Sequence, residues 1–368
     1  MQIEENKFEK YNPWVVFFIY VSVFINSITF FKEPFEFYIG YLIFLALLPR
    51  FIIRYGFNGR LFFIFLILLV TGVFNIVMGN NTAAQFIKVY TGLTLSYFFY
   101  YYVVMEFDYN VEQLFKWYLK GSYIAALVGL FQFFSFQVGF KPGYNFNWLL
   151  NKWGVITGGN FGIRINSFFG EPTHLGAVLA GAFFVSLYNL LRKETYYLSR
   201  FQSVVIIVVY VLSFSGLGQT GILLSLVFLA ISYGLFRYFY IFIPLAWLVS
   251  TFMYENIRDF RDRYDSLVDL FFGSGKFKLG ETHGSSFILY NNFHVAMENF
   301  QTNFLFGTGI GSHPIAFEKY SIAKEIRVYG FNLNSADANS MLLRLISETG
   351  LFGVIIFNKT EKTFVDTV

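Results

Sequence analysis

Residues 61–78 read LFFIFLILLVTGVFNIVM, a run with no charged side chain and only Thr71 and Asn75 as polar members. An α-helix needs about 20 predominantly apolar residues to cross the hydrocarbon layer of a bilayer, and this run approaches that length. Comparable runs lie at 14–31, 36–53, 86–105, 117–139, 174–191, 201–214, 219–236, 238–253 and 341–357. Together they predict an all-α fold, a polytopic integral membrane helical bundle of about ten spans. The first run does not read as a cleaved signal peptide, because acidic residues precede it and no small-residue cleavage site follows. The stretch SFSGLGQTG, residues 213–221, predicts a tight hairpin between two spans with small residues packed at its tip.

Composition agrees with this frame. The chain of 368 residues is 56% hydrophobic and 14% charged, with a mean hydropathy of +0.53, whereas soluble domains carry about 25% charged residues. The net charge of +4 is too small to argue for nucleic acid, and in a membrane protein it reports chiefly which loops stay in the cytoplasm. Cysteine is absent, which excludes a disulfide framework, a thiolate zinc site and a thiol nucleophile.

Basic loops orient the bundle, since short cytoplasmic loops hold an excess of Lys and Arg. Arg50, Arg54 and Arg60 fall in RFIIRYGFNGR, Arg192, Lys193 and Arg200 in RKETYYLSR, and Arg237 in a minimal turn. All three loops fall on one side, which predicts a cytoplasmic N-terminus and an outer face carrying 140–173, 215–218 and 254–340. The domain organisation expected is a transmembrane bundle over 1–253, an extracytoplasmic loop over 254–340, a last span over 341–357 and a short atypical tail over 358–368.

The outer loops hold the chemistry-bearing residues. RINSFFGEPTHLG, residues 164–176, sets Arg164, Glu171 and His174 where the chain re-enters the membrane, with Pro172 suited to a first helical turn. Two readings stay open there. In the first, Glu171 and Thr173 cap a helix, Arg164 snorkels and His174 sits at headgroup level. In the second, the stretch is an anion site, because the Arg fork matches phosphate and a helix N-terminus adds positive potential.

The long loop opens with ENIRDFRDRYDSLVDLF, in which Arg258, Arg261 and Arg263 alternate with acids, as in a solvated helix laced with salt bridges. GTGIGSH, residues 307–313, lacks the βαβ context and the Lys of a nucleotide loop, and reads as a turn bringing backbone close to a ligand or a neighbouring helix. In SADANSMLLRLISETGLFG, Glu348 lies inside an apolar run. It is either a functional carboxylate or the partner of Arg344 four residues earlier.

These motifs, in this order, resemble the O-antigen polymerase and O-antigen ligase superfamily of bacterial surface-polysaccharide assembly. The resemblance rests on Arg164 with FFGEPT at a helix start, on GTGIGSH in a large outer loop, and on NSMLLRLISETGLFG entering the next span. It covers roughly residues 160–357 in motifs. The chain departs from the pattern in three places. Asp337, Ala338 and Asn339 stand where ligases place a His directly before the Asn, only His283 precedes the loop helix where relatives carry an Arg, and NKTEKTFVDTV follows Phe357 where members continue with further spans.

The resemblance implies a glycosyltransferase C-like enzyme in the bacterial inner membrane. It would move a polyprenyl-diphosphate-linked glycan onto an acceptor repeat unit at the outer face, with a flippase and a chain-length regulator as further partners. It implies no cofactor and no metal. Diphosphate leaves readily once its developing charge is neutralised, which suits Arg forks. Arg164, Glu171 and His313 are the expected catalytic residues. Arg258, Arg261, Arg263, His174, Asp337 and Asn339 are expected to bind diphosphate or glycan. Glu171, His313 and Asp337 are the candidate proton acceptors, Glu171 being favoured because it shares a segment with Arg164. The alternatives are a ligase moving finished glycan to lipid A core or protein, and a flippase for the same lipid-linked sugars.

Overall fold

The computed structural model describes residues 11–31, 36–158, 161–193, 195–234, 239–256, 258–273, 282–323, 333–336, 338 and 340–365. The chain is predominantly helical. In order, the first helices are α1 (Pro13–Phe24), α2 (Ile39–Tyr55), α3 (Gly59–Val77), α4 (Ala83–Glu106), α5 (Val111–Gln137) and the single turn α6 (Lys141–Tyr144). Then come α7 (Pro172–Arg192), α8 (Arg200–Leu212), α9 (Gly216–Ser232), α10 (Phe239–Asn256), α11 (Arg258–Phe272), α12 (Gly284–Thr302), α13 (His313–Tyr320) and α14 (Met341–Val365). Two short antiparallel pairs interrupt them: β1 (Thr29–Phe31) with β2 (Phe37–Tyr38), and β3 (Ile156–Thr157) with β4 (Ile163–Arg164).

Among the described residues three helices, α3, α5 and α7, are long and apolar enough to cross a membrane, and α1, α8 and residues 217–232 of α9 form shorter apolar helices. Polar caps set several boundaries. Asn58 accepts the Leu61 N–H at 3.0 Å to start α3, Asn110 accepts the Gln113 N–H at 2.9 Å to start α5, and Ser199 forms a reciprocal capping box with Gln202 at α8.

The described chain divides into two units, residues 1–57 with 95–237, and residues 58–94 with 238–368. The expected outer loop, 254–340, therefore belongs with α3, the first half of α4, α10 and α14, and it contributes three helices of its own, α11 to α13.

In the first unit the core is built by α5, α7 and α8. Leu119, Ala125, Leu175, Leu179, Ala182, Phe183, Ile206, Val209 and Tyr210 are buried together there. Small residues let α9 approach its neighbours: a Cβ on Gly176 of α7 would meet Ser215 Oγ at 2.3 Å, and one on Gly221 of α9 would meet Tyr210 Oη of α8 at 2.0 Å. Ser213, Phe214 at φ +45° and the capping Ser215 turn the chain from α8 into α9, but both helices pack chiefly on α7 rather than on each other, so the expected tight hairpin of two paired spans is not what forms. Arg50 and Arg54 both reach the buried carboxylate of Glu106, Arg54 at 3.0 Å and Arg50 at 3.5 Å, and Tyr55 donates to it at 2.7 Å. Two of the arginines used to orient the bundle are thus paired. The positive-inside count tolerates this, because acidic residues weigh little in it.

In the second unit, Gly72 of α3 lies under the Phe86 ring of α4, where a Cβ would sit 1.9 Å from the ring. Leu270, Phe287, Val295, Ala316 and Phe317 form the core shared by α11, α12 and α13. The predicted last span, 341–357, is not one continuous helix. Gly350 has φ +63° and ψ −163° inside α14, and the freed amides of Leu351 and Phe352 donate to the Phe304 and Leu305 carbonyls at 2.9 and 3.0 Å. Gly is required there, since a Cβ would meet the Gly307 nitrogen at 2.6 Å.

Candidate functional site

The stretch between Arg164 and Glu171 is held by polar groups buried inside the first unit. Gln132, on α5 and fully buried, accepts the backbone N–H groups of Asn166 at 3.2 Å and Ser167 at 2.9 Å. Its own amide donates to Asn166 Oδ1 at 2.8 Å. Asn166 donates in turn to the Phe169 carbonyl at 2.8 Å, and Ser167 Oγ to the Ala125 carbonyl at 2.8 Å. The Trp153 indole N–H closes the set on the Ser167 carbonyl at 2.8 Å. Ser167 sits at φ +51°, a conformation that a residue with a side chain holds only when its surroundings over-determine it.

That lock fixes both ends of the stretch. Arg164, at the end of β4, has its Nε buried without a hydrogen-bond partner, and its guanidinium meets no carboxylate among the described residues. Glu171 occupies the N-cap position of α7, where its carbonyl accepts the His174 and Leu175 amides, but its exposed carboxylate makes no capping hydrogen bond. Glu171 and Arg164 do not pair with each other. The reading of this stretch as a side-chain-capped helix start is therefore not what the geometry displays.

Beside α7 lies a cavity of about 630 Å³ lined by Asn26, Tyr38, Lys152, Trp153, Glu171 and His174 among others. Arg164 is not among its lining residues. The Lys152 ammonium bonds both the Glu36 carboxylate and the Tyr38 hydroxyl. Burial disfavours that ammonium, yet the bonds and charges of Glu36 and Tyr38 outweigh burial and raise Lys152 above the ordinary lysine value. Asn26 Oδ1 is buried with no donor. His174 is exposed to the cavity and makes no side-chain bond among the described residues.

The second unit holds the other expected site residues. His313 begins α13 and is fully buried, its Nε2 3.1 Å from Asn292 Oδ1 and its ring edge-on to Phe317. The imidazole expected as a candidate proton acceptor thus sits inside the α12–α13 core and not on a surface. Arg258 pairs with Asp262 at 3.7 Å, as on a solvated helix. Arg261 caps the end of α10, donating to the Tyr254 and Glu255 carbonyls at 2.9 and 2.7 Å. Arg263, also on α11, offers its carbonyl to Ser286 Oγ at 3.2 Å. Asp337 and Asn339 lie outside the described residues.

Glu348 is the best-satisfied carboxylate in this unit. It takes Arg344 Nε at 3.0 Å and Nη2 at 3.4 Å, the Gly311 amide at 2.8 Å and the His313 amide at 3.3 Å. Its backbone carbonyl accepts the Gly309 amide at 2.7 Å. Gly307, Gly309 and Gly311 have φ of +63°, +89° and +84°, so the GTGIGSH turn wraps a neighbouring helix. Of the two purposes the sequence left open for those glycines, the geometry displays this one.

Several residues of the first unit that hold the 164–171 stretch or the cavity wall carry only weak signals in the sequence. Gln132 is a polar residue within an apolar span, a signal that points to a partner inside the bundle. Glu36 and Lys152 flank spans as isolated opposite charges, and their pairing is not visible from positions so far apart in sequence. Among the described residues no cluster of His, Asp and Glu could hold a metal ion.

Comparison with protein-family models, with curated proteins and with solved structures finds no match.

Proposed function

We propose that this chain is a membrane glycosyltransferase that polymerises lipid-linked polysaccharide repeat units at the outer face of a bacterial inner membrane. In this reading about ten helices span the bilayer, the N-terminus is cytoplasmic, residues 254–340 face outward and the architecture is glycosyltransferase C-like. The donor is a glycan on a polyprenyl diphosphate, the acceptor is a second lipid-linked repeat unit, and a flippase and chain-length regulator act with the enzyme.

One observation carries the reading: among the described residues the Arg164 Nε has no acceptor and the Glu171 carboxylate makes no capping bond, and the two stand at the ends of one polar-locked segment. Buried polar groups are normally satisfied, so an Arg Nε left without a partner invites an external anion. The chemistry follows from those two groups. An acceptor hydroxyl oxygen attacks the anomeric carbon, the carbon–oxygen bond to diphosphate breaks and the diphosphate departs with the electron pair. Arg164 neutralises the charge that develops on it, and Glu171 takes the hydroxyl proton. No step calls on a metal. His313, being buried, supports the turn in the second unit and takes no proton from substrate.

The test is the glycan profile of a strain lacking the gene, complemented with wild type or with Glu171→Gln. Single repeats on the lipid carrier, restored to long chains by wild type alone, are expected. Long chains that stay on the carrier would mean a ligase, and repeats trapped on the cytoplasmic side a flippase. Either result removes the polymerase reading.

A further inference from the structure

The cavity beside α7 differs in character from the surroundings of Arg164. Its volume, about 630 Å³, lies within the range of pockets that take small organic ligands. Its chemistry restricts what can enter. Asn26 Oδ1 is a buried acceptor with no donor among the described residues. The Glu171 carboxylate, also at the wall, is acceptor-only when ionised and takes no donor among the described residues either.

A phosphate or diphosphate brings only further acceptor oxygens, so it would satisfy neither group and would be repelled by the carboxylate. The one cation built into the wall does not reverse this, since Lys152 is already neutralised by Glu36 and spends a second donor on Tyr38. A ligand rich in hydroxyls fits instead, because each hydroxyl can donate to Asn26 and Glu171 while accepting from the third Lys152 donor and from His174. The Trp153 N–H is taken by the Ser167 carbonyl, which leaves that side chain to offer its ring alone. Aromatic walls with a few convergent polar groups complete a site for a sugar ring.

We infer that the cavity lined by Asn26, Lys152, Trp153, Glu171 and His174 is a subsite for an uncharged sugar of the glycan, separate from the diphosphate contact at Arg164. This rests on the glycosyltransferase reading and divides its substrate in two. The sugar that brings the attacking hydroxyl lies against Glu171, and the diphosphate lies against the Arg.

The experiment uses the full chain purified in mild detergent. The probe is the repeat-unit oligosaccharide released from the surface polymer of the source strain, without lipid or phosphate, observed by saturation-transfer NMR. Transfer to sugar-ring protons is expected, unchanged by excess inorganic pyrophosphate. Asn26→Leu and Glu171→Leu should each weaken binding about tenfold, the loss of one hydrogen bond to a poorly solvated or charged partner. His174→Ala serves as the second line, since an exposed ring without a protein partner can be removed without disturbing the fold. It should weaken binding several-fold at an unchanged melting temperature.

Absence of transfer to the wild type, displacement by pyrophosphate, or full binding in all three variants would overturn the assignment. Failure here is distinguishable from failure of the polymerase reading. Single repeats accumulating in the deletion strain while the oligosaccharide does not bind would remove the sugar subsite alone. Normal polymer in that strain with binding intact would remove the polymerase reading and keep the sugar site.

Discussion

Replacing Gln132 with Leu probes the lock that fixes the 164–171 stretch. The two side chains have similar size, so the substitution removes hydrogen bonds with little change in packing volume. Three buried groups lose their partner: the Asn166 and Ser167 amides and Asn166 Oδ1. At about 1 kcal/mol or more per stranded group the cost is about 3 kcal/mol. Hydrogen bonds measured inside membrane bundles average nearer 0.6 kcal/mol, which lowers the sum to about 2 kcal/mol. The expected destabilisation is therefore about 2–3 kcal/mol, which corresponds to a fall of about 4–12 °C in melting temperature. The assay is the fraction of fluorescent-tagged protein in mild detergent that remains monodisperse on gel filtration after a heat step.

Gln137→Leu is the internal control, since it is the same substitution on the same helix. Gln137 makes only one exposed bond of 3.3 Å, to the Phe161 carbonyl, and its loss should shift the melting temperature by no more than about 1–2 °C. The two variants melting together near wild type would refute the claim that Gln132 holds this segment. Because Arg164 and Glu171 lie at the ends of the segment, Gln132→Leu should also shorten the polymer at a growth temperature where the protein is still inserted.

Gly311→Ala should destabilise by about 2 kcal/mol or more, because the backbone is at φ +84° and the new Cβ would lie 2.7 Å from the Gln85 carbonyl. Gly284→Ala, in open space at the start of α12, should be neutral or slightly stabilising in the same heat assay. Glu106→Gln should cost about 1–2 kcal/mol, less than a fully buried pair would lose, because Arg50 and Arg54 are themselves 40–50% exposed. Arg50→Ala, by detergent melting, should cost less than Glu106→Gln. A reporter active only outside the cytoplasm should be active when fused after residue 300 and silent after residue 196, and the reverse pattern would remove the orientation. Arg164→Lys should lose most polymer at equal protein level, since a point charge cannot reproduce the two-pronged contact with phosphate. Normal chain length in that variant would mean the Arg only anchors.

The helices were legible because a membrane span announces itself locally. Each of the ten apolar runs contains a helix, but run 14–31 is helical only to Phe24 and ends in β1, and run 36–53 begins in β2; among the described residues α3, α5 and α7 are long and apolar enough to cross a membrane. The break at Gly350 was not legible, since a single Gly in an apolar run is compatible with an unbroken span until the Phe304 and Leu305 carbonyls are seen taking the freed amides. The glycines of GTGIGSH signalled close backbone approach, but what they approach is fixed by Glu348, which follows them by more than thirty residues. Arg164 and Glu171 were visible as charges at a helix entrance. The bonds of Gln132, Asn166 and Ser167 that hold the stretch between them join distant parts of the chain and leave no periodic trace. The burial of His313 was not legible, because the position of a residue in a loop says nothing of the contacts that Asn292 and Phe317 make with it.

The interleaving of the two units has a consequence for biosynthesis. Residues 58–94 leave the ribosome early, but the segments that complete their unit begin only at residue 238. At elongation rates of about 5–20 residues per second, α3 and the start of α4 wait about 15–55 s for the rest of their unit to be made. During that interval the ring of Phe86 can already close on Gly72, while Asn81, whose amide finally donates to the Ile310 carbonyl at 2.9 Å, has no such acceptor yet synthesised. Slowing translation between residues 95 and 237 lengthens that interval and should increase the share of nascent chains cleared by membrane proteases.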